Sequence, residues 1–228
     1  FDPADERTLY DILRTFGRAC EAVAFAHSRG ILHCDLKPSS ILTGSHGQVY
    51  VTDWGSAQRL GEPIRTQDGL PPGTPAWMAP EQAQALIDAI DVRTDVFGLG
   101  AILFRILTGR APHAAATPDA SVRLARSAPV AAPQELVKDR VLPRRLCEIA
   151  SRALSFDAAQ RQASVEQLHA EVEAFLRGDG RYESRSFHPG SLVIREGDPG
   201  DAAYVIAKGR ARAFKLVDGD RQFLREMG

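Results

Sequence analysis

The sequence has few cysteines and no excess of either charge. Its 228 residues include three cysteines, and 28 basic against 29 acidic side chains give a formal net charge of −1. This balance gives no reason to expect a nucleic-acid or anionic-membrane partner. Cys20, Cys34 and Cys147 lack the spacing of a metal site or a disulfide framework, which favours a reducing compartment.

Long apolar runs are also missing. The longest, residues 96–107, is shorter than a membrane span and contains Arg105. The first residues do not show the charged and then apolar pattern of a secretory signal. These features predict a cytoplasmic protein without membrane segments. Its hydrophobic content of 44% is ordinary for a globular domain.

Several segments carry helical patterns. Apolar residues at steps of three and four predict a helix over residues 9–28, in which His27 is expected to pack rather than to bind a metal. Residues 91–108 are apolar nearly all round, so we expect a central helix there. Further helices are predicted around residues 146–154 and, after a capping box at Ser164, over residues 165–177, whereas residues 112–133 predict a loop with a short helix at 122–126.

The most informative stretch is residues 33–42, which read HCDLKPSSIL. Asp35 and Lys37 lie two residues apart on a predicted loop. Such a carboxylate can accept the proton of a substrate hydroxyl while the ammonium faces the phosphoryl oxygens. Asp53 follows the second arm of a predicted hairpin, residues 41–51, and the end of a strand is a place to hold a metal ion. A third signature, PAWMAPE, occupies residues 75–81.

Together these stretches resemble the protein-kinase motifs H-R-D-L-x-x-x-N, D-F-G and A-P-E, in the same order. The resemblance is to the C-terminal lobe of a serine/threonine protein kinase of the bacterial type, with D-W-G in place of D-F-G. It implies an α+β fold, a mainly helical kinase C-lobe, with a small partial β-roll at the C-terminus. It also implies ATP and Mg²⁺ as cofactors and a protein as substrate.

The resemblance assigns chemistry to five residues. Asp35 would be the catalytic base, Lys37 would contact the transferred phosphate, and Thr74 would bond near both. Asp53 would hold Mg²⁺ against the phosphates, because this metal prefers hard oxygen ligands. Ser40 stands where the family has an asparagine that holds a second Mg²⁺. Since a hydroxyl is a poorer ligand than an amide carbonyl, we expect that second ion to bind weakly.

Other matched residues would support the site. Asp95 would accept backbone N–H bonds from the catalytic loop and so fix Asp35, and His33 belongs to the same supporting set. Arg161 matches the family arginine that pairs with the A-P-E glutamate, here Glu81.

Residues 56–72 have no periodicity and correspond to the activation segment. Thr66 is its predicted phosphorylation site. Cys34 replaces the family arginine that would bind a phosphate there, which predicts altered regulation rather than loss of catalysis.

From residue 187 the pattern changes to short β-like runs, at residues 191–195, 204–207 and 211–217. They resemble the opening of a cyclic-nucleotide-binding domain. We therefore predict a kinase-like domain at 1–178, a linker at 179–186 and a truncated β-roll at 187–228. The phosphate-binding turn of that family should lie further along, so we expect a cyclic nucleotide as a partner only of a longer form.

The kinase resemblance begins at the first helix of the C-lobe. The Gly-rich loop, the ATP-anchoring lysine and its glutamate partner are therefore expected to be missing, and this chain alone is expected to have little or no kinase activity. Two interpretations remain: part of an active kinase, or a non-catalytic pseudokinase scaffold coupled to a ligand-sensing β-domain. Phosphotransfer to a small molecule is disfavoured, because residues 73–81 resemble a platform for a protein substrate.

Overall fold

A computed structural model describes residues 6–66, 69–178, 186–195, 206, 208–217 and 220–227. The chain divides into two compact units, Phe1–Glu183 and Ser184–Gly228. The predicted linker at 179–186 lies almost wholly outside the described residues, so its limits stay a prediction.

The first unit is mainly helical, with two small antiparallel pairs of strands. Within the described ranges, none of its helices combines the length and the apolar character needed to cross a bilayer. Its elements in chain order are α1 (Glu6–Ser28), β1 (Ile31–Leu32), β2 (Ile41–Thr43), β3 (Val49–Val51), β4 (Gln58–Arg59), α2 (Pro80–Ala83), α3 (Val92–Thr108), α4 (Pro118–Ser127), α5 (Pro133–Leu136), α6 (Arg144–Ala153) and α7 (Val165–Leu176).

Helix α3 is the centre of this unit, as its apolar sequence predicted. Asp91 caps its first turn, and Gly109 ends it with a φ of 75°, a left-handed conformation that glycine adopts without strain. Most of its residues are buried in a core shared with α1, α6 and α7. A Cβ on Gly100 would lie 2.5 Å from the Cβ of Ala153, so only glycine allows α3 and α6 to pack this closely.

The predicted amphipathic helices are confirmed as α1, α6 and α7. Ser164 caps α7, its hydroxyl accepting a hydrogen bond from the Gln167 N–H at 3.3 Å. The short helix predicted at 122–126 is wrong in extent, since α4 already starts at Pro118, after a cap by the Thr117 hydroxyl.

The predicted hairpin is also confirmed, with Leu42 opposite Tyr50 in the β2–β3 pair. A second pairing was not predicted: β1 and β4 align Leu32 with Gln58. Through this pairing, the segment that follows D-W-G lies beside the strand that precedes the Asp35 loop. Two residues on each strand are too few to give a periodic signal.

In the second unit the structure describes an antiparallel hairpin of β5 (Ala211–Val217) and β6 (Asp220–Met227), with an irregularity between Ala213 and Phe214. The run predicted at 211–217 is therefore a strand. The prediction at 191–195 is wrong, since those residues form no strand. Apart from Ile206, the run at 204–207 lies outside the described residues.

Candidate active site

Asp35, Lys37 and Thr74 form a closed triangle of hydrogen bonds. The Lys37 ammonium donates to Asp35 Oδ2 at 2.5 Å and to Thr74 Oγ1 at 2.8 Å, and the Thr74 hydroxyl donates to Asp35 Oδ1 at 2.7 Å. The Lys37 and Asp35 side chains remain partly exposed, at 21% and 12%. The structure thus brings together three predicted residues, two from one loop and one from a segment almost 40 residues later.

His33 lies fully buried behind this triangle. One ring nitrogen, Nε2, contacts the Thr52 carbonyl at 2.8 Å, and the other, Nδ1, accepts the Asp35 N–H at 3.2 Å. Both contacts are satisfied by the neutral tautomer with its proton on Nε2. The imidazole therefore ties the main chain of Asp35 to the strand end that carries Asp53.

Asp95, on the first turn of α3, also binds the Asp35 loop. Its carboxylate accepts the N–H groups of His33 and Cys34, both at 2.8 Å. The His27 ring, at the end of α1, contacts Asp95 Oδ2 at 2.7 Å. His27 packs as the sequence predicted, but its bond to Asp95 was missed, because nothing in the local pattern indicates a partner 68 residues away.

Asp53 has a left-handed backbone, with φ 66° and ψ 37°, and its side chain is exposed. Within the described ranges its carboxylate makes no hydrogen bond or ion pair. The neighbouring Trp54 fixes this turn, since its indole N–H donates to the Val51 carbonyl at 2.8 Å and its ring lies 4.6 Å from that of His33. An unpaired, exposed carboxylate at a fixed turn can serve as one of the oxygen ligands that Mg²⁺ prefers.

Ser40 is buried and already engaged. Its hydroxyl donates to the Lys37 carbonyl at 2.7 Å and accepts the Lys37 N–H at 3.0 Å, which closes a single 3₁₀ turn. A hydroxyl has one donor and two acceptor sites, so one lone pair is left for a metal. Its assignment as a ligand of the second ion stays a prediction.

Glu81 and Arg161 form a buried bidentate ion pair. Arg161 Nη1 and Nη2 donate to the two Glu81 oxygens, each at 2.7 Å, and the Thr94 hydroxyl donates to Glu81 Oε1 at 2.8 Å. The guanidinium also donates to the carbonyls of Ser155 and Arg93. The pair links three parts of the unit that are far apart in sequence, which is a structural task rather than a chemical one.

Cys34, which replaces the arginine of the kinase motif, lies in an apolar cluster. It packs with Leu32 and Ile90, and Ile64 of the activation segment packs against this cluster. Burial raises the pKa of the Cys34 thiol well above its usual range. Thr66, two residues beyond Ile64, is exposed, and its phosphorylation stays a prediction.

Gln82, which follows the A-P-E motif, was not predicted as part of the site. Its side-chain nitrogen donates to the carbonyls of Cys34 and Pro72, at 2.7 Å and 2.6 Å. A glutamine in so short a segment carries no sequence signal of such a contact.

His113 is a buried histidine beside the 75–81 segment. The main-chain N–H of His113 donates to the Ala76 carbonyl at 3.2 Å. Its imidazole ring stacks on the Phe97 ring, with the ring centroids 5.8 Å apart. Neither ring nitrogen makes a well-formed hydrogen bond within the described residues. Burial lowers the pKa of His113 to about 4, and the Met78 main chain offsets only part of this shift.

This shift predicts a loss of stability in mild acid. Below pH 6.5, the ordinary pKa of histidine, His113 binds a proton in the unfolded chain. In the folded chain His113 binds that proton only near pH 4, its lowered pKa, so acid favours the unfolded state. Between pH 7 and pH 5 the His113→Phe variant should therefore lose roughly 2 kcal/mol less unfolding free energy than the parent chain. Urea unfolding at both pH values measures this difference. His46→Gln, at an exposed position, should follow the parent chain, and an unchanged pH dependence in His113→Phe would contradict the prediction.

In the described part of the chain, no group of three or more His, Cys, Asp or Glu side chains is arranged to hold a metal ion. Any Mg²⁺ at Asp53 would therefore take most of its ligands from phosphate oxygens and water, which is usual for nucleotide-bound magnesium.

Two family models match the chain. Residues 5–172 match the protein kinase domain, and residues 184–228 match the cyclic nucleotide-binding domain. The first match covers every residue of the site described above.

Curated relatives agree with these matches. The chain is 34% identical over 184 residues to the serine/threonine-protein kinase PknD of Protochlamydia amoebophila, covering 73% of this chain and 18% of that protein. It is 30% identical over 202 residues to PknD of Chlamydia felis, covering 81% and 21% respectively. The chain thus spans about a fifth of the length of these relatives. The chain belongs to the protein kinase domain family, and its C-terminal residues match the cyclic nucleotide-binding domain.

Proposed function

We propose that this kinase domain transfers the terminal phosphoryl group of Mg²⁺·ATP to a serine or threonine hydroxyl of a protein. The observation that carries the proposal is the triangle of Asp35, Lys37 and Thr74, with distances of 2.5 to 2.8 Å. A carboxylate held beside an ammonium at a partly exposed position can receive a proton at the same point where phosphate charge is neutralised.

Each residue has one task in this proposal. Asp35 accepts the hydroxyl proton of the substrate, and Lys37 lies against the transferred phosphoryl oxygens. Thr74 keeps the Asp35 carboxylate in one orientation by donating to Oδ1. Asp53 is the residue that would hold Mg²⁺, which when bound neutralises phosphate charge and orients the nucleotide.

A non-catalytic scaffold is the second candidate, and Ser40 favours it. Its hydroxyl is buried in a backbone cap, so a second metal ion would find only one lone pair there. The 228 residues also contain no G-x-G-x-x-G motif. We therefore propose little or no turnover by these residues alone. In a longer form, the matched cyclic nucleotide-binding domain would add a small-molecule ligand.

A cytoplasmic location is part of the proposal. Cys20, Cys34 and Cys147 are all buried and unpaired, which suits a reducing compartment.

Titration of the purified chain with ATP, with and without Mg²⁺, tests the nucleotide site. We expect weak binding that requires Mg²⁺ and that Asp53→Asn weakens by about tenfold or more, because an amide oxygen carries no charge for the metal. Asp88→Asn, which changes another exposed carboxylate, is the matched control and should bind as the parent chain does. Equal binding in Asp53→Asn would contradict the assignment.

The same preparations, incubated with Mg²⁺·ATP and a protein substrate, separate the two candidates. Phosphorylation that Asp35→Asn abolishes would eliminate the scaffold. Absence of turnover is expected of either candidate in these residues alone, so phosphorylation is the outcome that decides between them.

A further inference from the structure

We propose that Gln82 is a positioning residue that holds the Asp35 loop and the Thr74 segment in one geometry. The catalytic meaning of this inference rests on the proposed function, whereas the geometry and its test do not. Neither family motif assigns a task to this position, which lies directly after the A-P-E glutamate.

Both polar atoms of the Gln82 side-chain amide make hydrogen bonds. The side chain is buried, with the residue 3% exposed. Its nitrogen donates to two main-chain carbonyls, Cys34 at 2.7 Å and Pro72 at 2.6 Å. Its oxygen accepts the Ala79 N–H at 3.0 Å, at the start of α2. One side chain therefore joins three segments of main chain that do not form a sheet or helix with each other.

The two carbonyls that Gln82 binds are placed next to the proposed chemistry. Cys34 directly precedes Asp35, and Pro72 lies two residues before Thr74. Gly73, which lies between Pro72 and Thr74, has a φ of 155°. A Cβ at this position would lie 3.1 Å from Gln82 Nε2 and 3.6 Å from the Cys34 carbonyl oxygen. The segments thus close tightly around the amide.

This arrangement makes the bond from Thr74 to Asp35 depend on Gln82. The 2.7 Å contact between these side chains forms only if their two segments keep a fixed separation. Asp95 fixes the Asp35 loop to α3, but its hydrogen bonds go to His33, Cys34 and His27 and not to the 72–74 segment. Among the side-chain hydrogen bonds of the described residues, those of Gln82 join the main chain of the Asp35 loop to the main chain of the 72–74 segment.

The chemistry of the site selects glutamine. Two carbonyl oxygens need two N–H donors on one atom, and the Ala79 N–H needs an acceptor at the other end. Glutamate keeps the size and the acceptor but opposes two carbonyl oxygens with a third oxygen. Methionine keeps the length but leaves three main-chain groups without this partner, of which the Cys34 carbonyl and the Ala79 N–H are buried.

A double-mutant cycle on the 228-residue chain tests the dependence. Thr74→Val removes bonds to two charged side chains and should raise the unfolding equilibrium constant about tenfold. In the Gln82→Met background the same change should raise it less than about threefold, because the Thr74 contact is already lost. Gln84→Met is the matched control. Within the described part of the chain its amide donates to the Arg126 carbonyl alone, so Thr74→Val should still cost about tenfold there.

Equal effects of Thr74→Val in the parent and Gln82→Met backgrounds would overturn the inference, since Gln82 would then contribute to stability alone. If Gln82→Met does not fold, Gln82→Glu replaces it in the cycle, with the same expectation.

An NMR measurement gives a second readout. Side-chain order of the Thr74 methyl group should fall in the Gln82 variant, while that of Thr108, at the end of α3, stays unchanged. An ordered Thr74 methyl in that variant would also overturn the inference. Neither measurement involves nucleotide, so both remain valid if the kinase proposal fails.

Discussion

Replacement of Arg161 by methionine should lower the free energy of unfolding by about 3 to 5 kcal/mol. The change leaves the Glu81 carboxylate, whose side chain is 6% exposed, with the Thr94 hydroxyl as its one remaining side-chain partner among the described residues. It also removes the donor from the carbonyls of Ser155 and Arg93. Urea unfolding of the 228-residue chain, followed by circular dichroism, measures the loss.

Arg152→Met is the matched control for this prediction. It breaks an ion pair with Glu171, at similar distance, but the Arg152 side chain is 44% exposed. Exposed pairs contribute about 1 kcal/mol or less. Adding Glu81→Gln to Arg161→Met should recover part of the loss, because the buried charge is then removed. A loss in Arg161→Met no larger than in Arg152→Met would contradict a buried structural brace.

Replacement of Asp95 by leucine should destabilise the chain by about 3 to 5 kcal/mol and release the Asp35 loop. The reason is that two buried main-chain donors, at His33 and Cys34, and the His27 ring lose one common acceptor. Each unpaired buried donor costs about 1 to 3 kcal/mol. Urea unfolding measures the first effect, and amide hydrogen exchange of residues 33–35 measures the second.

Asp91→Ala separates this effect from a general weakening of α3. Asp91 is also an aspartate at the start of α3, but it caps the helix through the Arg93 N–H instead of binding the loop. Loss of such a cap costs about 1 kcal/mol. Exchange at residues 33–35 should stay slow in Asp91→Ala. Equally fast exchange in both variants would show that the loop does not depend on the Asp95 carboxylate.

Much of the site could be predicted from the sequence because its residues sit in short, ordered motifs. Asp35, Lys37 and Thr74 were expected near one another, and the structure places their side chains within hydrogen-bonding distance. Asp95 and Arg161 were expected to bind the loop and Glu81, and both contacts are present. The tasks assigned to these residues in catalysis stay predictions.

Gln82, the contact of His27 with Asp95, and the apolar setting of Cys34 could not be predicted. Each depends on partners 48 to 68 residues away in sequence or on packing of the activation segment. Local periodicity carries no information about such partners.

The fold shows the same division. Helices α1, α3, α6 and α7 were predicted because each carries its apolar residues over two or more turns. The strand pair β1–β4 and the helices α2 and α5 have two to four residues each, and tertiary contacts rather than local sequence decide their conformation.

The anchoring of the Asp35 loop on Asp95 has a consequence for synthesis of the protein. The contacts between His33 or Cys34 and Asp95 span 62 and 61 residues. At bacterial or eukaryotic translation rates, the ribosome needs about 3 to 12 s to add that many residues. During this interval a nascent chain carries its HCDLKP loop without the carboxylate that orders it. The geometry of the Asp35 loop can therefore only be completed late, once α3 has left the ribosome and docked.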